Sequence, residues 1–213
     1  MVGYCSRSTA WPGGLIGAGQ RFYGFAHGVA GIGLFLDHAA AVTGREDCAA
    51  AAEASAATLR HAALAANGLV KWGSGPDEPT PGLPHWCNGS SGVATFLLRH
   101  AGGANDVELL EGAARATVAA KWRSGVAYCH GLSGNADLLL DLSDSADLRY
   151  RVWAADLLRI MSDRRSSDGH GLGLTDEAGY ITPDFNVGYG GALSVLLRLR
   201  HGGPRLWLPE RAA

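Results

Sequence analysis

Tyr128-Cys129-His130-Gly131-Leu132-Ser133-Gly134, running on into Ala136 to Leu142, is the stretch that decides the fold. A G-x-x-G step opens an apolar run, and such a step opens three more. Gly28-Val29-Ala30-Gly31 leads into Ile32 to Ala41. Gly89-Ser90-Ser91-Gly92 leads into Val93 to Leu98, and Gly188-Tyr189-Gly190-Gly191 into Ala192 to Leu199. Repetition at intervals of this kind is the mark of an array of similar units. The residues after each glycine pair are helix formers, among them Leu34-Phe35-Leu36, Phe96-Leu97-Leu98, Leu138-Leu139-Leu140 and Leu196-Leu197. They are apolar nearly all round, which predicts helices buried on most of their surface. The glycines suit the first turn, where backbone or ligand must come close and a side chain would block it.

Between these runs lie amphipathic, Ala-rich segments: Cys48 to Ala66, Val107 to Trp122 and Leu148 to Ser162. Asn105 is a candidate cap for the second, with Glu108 three residues on. The polar residues Glu53, Arg60, Glu111, Arg115, Arg151 and Arg159 predict an outer, half-solvated layer. The expected fold is therefore all-α, with inner apolar helices alternating with outer amphipathic ones, and such pairs build a solenoid or close into an α/α toroid. The linkers Gly73 to Pro84 and Asp168 to Pro183 are long for a helical array and suggest functional or covering loops. No strong strand signal stands out, and Gly179 to Thr182 is at most a short extended piece. A single domain over 1–213 is expected, with 1–24 as an irregular N-terminal segment.

The bulk properties narrow the function. The chain has 213 residues, 47% of them hydrophobic, and a formal net charge of −2. That is enough to bury a core. No basic field argues for nucleic acid or an anionic membrane. No apolar run approaches the roughly 20 residues of a membrane span. Met1 to Gly19 lacks the basic and apolar regions of a signal peptide, so a soluble cytoplasmic protein is the expectation. Four cysteines in a chain of this length do not make a disulfide scaffold, and the question becomes which of them carry chemistry.

Aligning the four units on the first glycine answers it. The residue just before that glycine is His27, Asn88, His130 or Val187, and the residue two before it is Ala26, Cys87, Cys129 or Asn186. Two cysteines share one register and two histidines the next. In a solenoid or toroid, equivalent positions sit at the same end of neighbouring inner helices, so Cys87, Cys129, His130 and His27 are expected at one mouth. Two thiolates and one imidazole are a three-ligand zinc set with an open fourth position, as in catalytic zinc sites. A place just ahead of a helix favours the thiolate form. A buried cysteine is more often simply a small hydrophobe, and the Cys-His spacing matches no common zinc-finger pattern. The shared register is what tips the balance toward metal. His27 taken alone reads as a satisfied core histidine; its register makes it a candidate acid/base. Cys48 reads as packing, Cys5 and His85 stay unassigned, and Trp86 and Tyr128 are either walls of the site or core. Asp141, Asp144 and Asp147 read as solvation and capping.

Phe25-Ala26-His27-Gly28-Val29-Ala30-Gly31-Ile32-Gly33, then Trp86-Cys87-Asn88-Gly89, then Cys129-His130-Gly131, resemble the ordered motifs of lanthionine synthetase C-like cyclases. Asp184-Phe185-Asn186-Val187-Gly188-Tyr189-Gly190-Gly191 resembles the family's last repeat. The resemblance runs from about Phe25 to His201. It implies an α/α toroid of seven helix pairs around a zinc, with about four of the seven repeats in this chain. It implies Cys87, Cys129 and His130 as zinc ligands and His27 as an acid/base near the metal. It also implies a reaction: a cysteine thiol of a dehydrated precursor peptide adds to dehydroalanine or dehydrobutyrine, forming a thioether ring.

Simpler members carry Arg four residues before the first zinc cysteine, where this chain has Leu83, and often Tyr just after it, where this chain has Asn88. The Trp-Cys-Asn-Gly-Ser-Ser-Gly form looks more like cyclase domains fused behind kinase and lyase domains in actinobacterial lanthipeptide synthetases. Such domains, or a separate dehydratase, are the partners this implies. The missing repeats belong on the N-terminal side, together with a catalytic Asp of the family, so an N-terminally truncated ring is the expectation. Two other readings stand beside the enzyme. One is a zinc- and thiol-peptide-binding module without turnover. The other is a structural array whose Cys and His are core residues.

Overall fold

A computed structural model describes residues 21–100, 106–143, 147–167, 172–175 and 179–208. Seven α-helices lie among them: α1 (Val29–Thr43), α2 (Glu46–His61), α3 (Ser90–Arg99), α4 (Val107–Ala119), α5 (Leu132–Ser143), α6 (Leu148–Asp163) and α7 (Tyr189–His201). The fold is all-α, with three small hairpins among the described residues, and the chain forms two compact units that divide between Ala116 and Thr117.

In the first unit α1 packs on α2 and α3. The Ala-rich α2 turns Ala52, Ala56 and Leu59 inward. In the second unit α5 packs on α6 and α7, and α6 contributes Ala154, Leu157, Leu158 and Met161 to the core. Asp147 caps α6, its side chain accepting from the Arg149 amide at 3.0 Å, which is the capping role expected of it. Both units thus place an apolar helix after each glycine step and an amphipathic one between, as the periodicity predicts.

Burial is less uniform than the sequence suggests. Helix α5 is buried along Leu132 to Leu142, and α3 along Ser90 to Leu97. Helices α1 and α7 are buried on one face only. Phe35 and Val42 on α1, and Leu193 and Leu197 on α7, are exposed.

The structure corrects the sequence reading in one region. The second helix ends at His61, and the chain then forms two antiparallel hairpins: β1 (Leu64–Ala66) with β2 (Leu69–Lys71), and β3 (Gly73–Gly75) with β4 (Glu78–Pro81). Asn67 and Gly68 make the first turn with φ of 53° and 73°, a left-handed pair that Asn-Gly adopts readily. Trp72, buried between the hairpins, donates its indole N–H to the Leu59 carbonyl at 2.7 Å and so ties them to α2. Val70 packs where a Cβ on Gly112 of α4 would stand. A third hairpin, β5 (Ser166–Ser167) with β6 (Leu172–Gly173), follows α6. Gly179 to Thr182 carries no strand. Asn105, Asp144, Cys5 and all of 1–20 lie outside the described residues.

Candidate metal centre

Each glycine step begins with a tight turn, and the turns are alike. Residues 25–27, 86–88 and 128–130 turn just ahead of Gly28, Gly89 and Gly131. The first helical N–H reaches back over the turn to the carbonyl seven residues earlier: Val29 to Phe22 at 2.9 Å, Leu132 to Gly125 at 2.8 Å, Tyr189 to Thr182 at 2.9 Å. This folds the turn against the helix start and explains both glycines of the motif. A Cβ on Gly28 or Gly188 would overlap the carbonyl of Phe22 or Thr182. One on Gly31, Gly92 or Gly191 would overlap that of Phe25, Trp86 or Phe185. The obstacle is always backbone, so no rotamer change relieves it.

The turns are also stitched side by side within each unit. In the first, the Ala26 N–H donates to the Cys87 carbonyl at 3.0 Å. In the second, the Cys129 N–H donates to the Asn186 carbonyl at 2.8 Å. Ala26, Cys87, Cys129 and Asn186 are the four residues that share one position in the repeat. Equivalence in sequence is therefore equivalence in hydrogen bonding.

Cys87 is half-buried in the turn ahead of α3, where Trp86 is buried and stacks obliquely on Phe25, ring centroids 5.2 Å apart. His27 lies in the adjoining turn, next to the Ala26 that bonds Cys87, and is exposed. Leu83, His85 and Asn88 are half-buried in the same region. In the other unit Cys129 and His130 are both half-buried in the turn ahead of α5. Cys48, Cys87 and Cys129 form no disulfide. Cys48 sits half-buried in α2, consistent with packing.

Cys87, Cys129 and His130 make a Cys-Cys-His group that could hold a metal ion. The donor chemistry fits zinc. Two thiolates would cancel the charge of the dication, and a neutral imidazole completes a three-ligand set that leaves one position open. Both cysteines stand just ahead of helix N-termini, whose dipole favours the deprotonated sulfur.

Sequence reasoning missed what supports the second turn. Tyr128, 1% exposed, places its hydroxyl in a buried lattice of charges. The hydroxyl donates to Asp137 at 2.7 Å and accepts from Arg205 and from the Trp207 indole, each at 3.0 Å. Arg198 pairs with Asp137 at 2.6 Å and with Asp141 at 2.7 Å. Arg205 pairs with Asp141 at 2.9 Å and with Asp137 at 3.3 Å. Asp141 is thus a buried ion-pair member rather than a solvating residue. Two arginines against two aspartates balance the charge. Burial pushes the Tyr128 phenol well above its ordinary range, so it stays a donor. Burial opposes the charge on Arg205, but Asp137 and Asp141 outweigh it and keep the guanidinium protonated. One signal was available: Asp137 and Asp141, four apart, sit in the Leu-rich run of an inner helix, and acids there need partners.

Fold and site together define a class: helices led by glycine turns, with a Cys-Cys-His group that could hold a metal ion. The chain belongs to the lanthionine synthetase C-like protein family, whose model matches residues 2–208. Among the described residues, no helix is long and apolar enough to cross a membrane.

Proposed function

We propose that this chain is a zinc-dependent lanthipeptide cyclase, or the cyclase part of one, that joins peptide cysteine thiols to dehydroalanine or dehydrobutyrine. The observation that carries the proposal is the pairing of turns in a chain of this family. Cys87 and Cys129 occupy a repeat position whose backbone is stitched to a neighbouring turn of the same unit, and His130 and His27 occupy the position after it.

In this reading Cys87, Cys129 and His130 hold the ion. A bound zinc would lower the pKa of an incoming peptide thiol and keep it as thiolate, the competent nucleophile. Two sulfur ligands would make the loaded site electrically neutral, so a substrate thiolate there would keep more of its own charge and nucleophilicity than at a His-rich site. Addition forms a C–S bond at the β-carbon of the alkene and pushes charge onto the α-carbon and its carbonyl. His27 stabilises that charge by hydrogen bonding and delivers a proton to the α-carbon. Its exposure lets it regain a proton from solvent, and the thiol's own proton balances the cycle. The substrate is a dehydrated precursor peptide, supplied by a dehydratase or by kinase and lyase domains.

A second reading, a module that binds zinc and thiol peptides without turnover, draws on Leu83 and Asn88, which stand where simpler members carry Arg and Tyr. One experiment separates the two. The addition leaves the peptide mass unchanged, so turnover is read by loss of alkylatable thiols from a dehydrated, Cys-containing peptide. The cyclase loses thiols at a rate that falls about a hundredfold in His27→Ala with zinc retained, the lower end for an acid/base group. A binding module retains zinc and peptide with every thiol still reactive.

A further inference from the structure

The turn ahead of α5 that carries Cys129 and His130 continues directly into the buried charge lattice, and the lattice is closed by residues far along the chain. Tyr128 is the residue before Cys129. Its ring is enclosed by Phe185, centroids 4.9 Å apart, and by the edge of Trp207 at 6.1 Å. The Gly191 backbone lies so close that a Cβ there would stand 2.7 Å from the Tyr128 Cβ. Its hydroxyl donates to Asp137 and accepts from Arg205 and Trp207. Arg198, on α7, also bonds the Asp137 and Gly203 carbonyls, at 3.1 and 2.8 Å, which ties the segment after α7 to α5. Neither phenol nor backbone at position 128 is left a choice of orientation.

We infer that Tyr128, Asp137, Arg198 and Arg205 are positioning residues for the metal site, with the segment from Gly203 to Trp207 as the strap that closes it. This rests on the zinc reading of Cys129 and His130. The physical case is one of precision. A metal set needs its donors held to within about half an ångström, and a turn bounded by glycines on both sides cannot supply that by itself. Buried ion pairs seldom add much net stability over apolar packing, so a four-member lattice here is better explained by the orientation it fixes. The Tyr128 hydroxyl is where the lattice meets the turn.

The test uses the whole chain and two metal probes, zinc for affinity and cobalt(II) for its thiolate charge-transfer and ligand-field bands. Tyr128→Phe keeps the stacked ring and removes the hydroxyl. Arg205→Lys keeps the charge and removes the fork. Asp106→Asn breaks a half-buried ion pair of the other unit, Arg60–Asp106 at 2.8 Å, as a matched destabilisation. The expected result is zinc affinity reduced about tenfold in Tyr128→Phe and in Arg205→Lys, with altered cobalt bands, at the low end for residues behind metal ligands. Asp106→Asn leaves both unchanged while lowering the melting temperature comparably. The inference falls if the two lattice variants keep wild-type affinity and spectrum. If the wild-type chain binds neither ion stoichiometrically, the zinc reading falls first and takes this inference with it.

Discussion

The turn ahead of α3 and the turn ahead of α5 have the same job in the repeat and different supports. Both put a cysteine at the same position, and both lie over a glycine whose Cβ would strike the turn backbone. Trp86 supports the first through ring packing on Phe25. Tyr128 supports the second through a hydroxyl in a lattice of two arginines and two aspartates. The lesson is a division of labour. Backbone contacts, enforced by glycine, set the shape of every turn. Side chains then fix each turn individually, and they need not be alike. The turn that offers two donors has the more elaborate support.

If that division is right, removing a charge from the lattice does the greatest harm. Arg205→Met leaves Asp137 and Asp141 sharing one cation in a buried site and should cost about 3–5 kcal/mol in chemical denaturation. A cost below about 1 kcal/mol would mean that the lattice is not held as described. The glycines come next, and here the turns should behave alike. Gly92→Ala and Gly191→Ala each force a methyl against a backbone carbonyl and should each cost roughly 1–3 kcal/mol. Tolerance at one and not at the other would break the equivalence of the turns.

The smallest effect belongs to a different cluster, at the base of the first unit. His100 is buried between Asp37, 2.9 Å from Nδ1, and Glu53, 2.8 Å from Nε2. Burial works against its charge, but Glu53 and Asp37 outweigh it and raise its pKa above the ordinary value. The folded state therefore favours the imidazolium. That stabilisation is complete below about pH 6.5 and fades as pH rises through the raised folded-state pKa. Glu53 is largely exposed, so solvent screens the pair and the effect stays under about 1 kcal/mol. His100→Gln should separate from wild type in denaturation midpoint at pH 5.5 and converge with it by pH 9. A gap that is constant with pH would mean that the cluster does not rest on charge.

Much of this was legible in the sequence, for a physical reason. The glycine steps are close-approach sites that only glycine can fill, so they recur wherever the backbone does, and the helices after them follow. The candidate donors were legible because they ride on those steps: Cys87 and Cys129 share a position whose backbone the structure stitches to a neighbouring turn. The hairpins were obscured by composition. The Ala-rich pattern of α2 runs past His61 into Leu64-Ala65-Ala66, although Asn67-Gly68 marks the turn. The lattice was least legible. Arg198 and Arg205 find Asp137 and Asp141 across more than sixty residues, and no local period reports such a pair. The half-exposed faces of α1 and α7 were hidden likewise, since an apolar helix reads the same whether or not both faces are covered.

The central claim is that two cysteines from equivalent turns and one histidine hold a single ion. Metal analysis of the purified chain tests it most directly. The account predicts one zinc per chain, lost in Cys87→Ala and equally in Cys129→Ala, and retained in Cys48→Ala. A chain that carries no stoichiometric zinc, or one whose zinc survives loss of either turn cysteine, would contradict it.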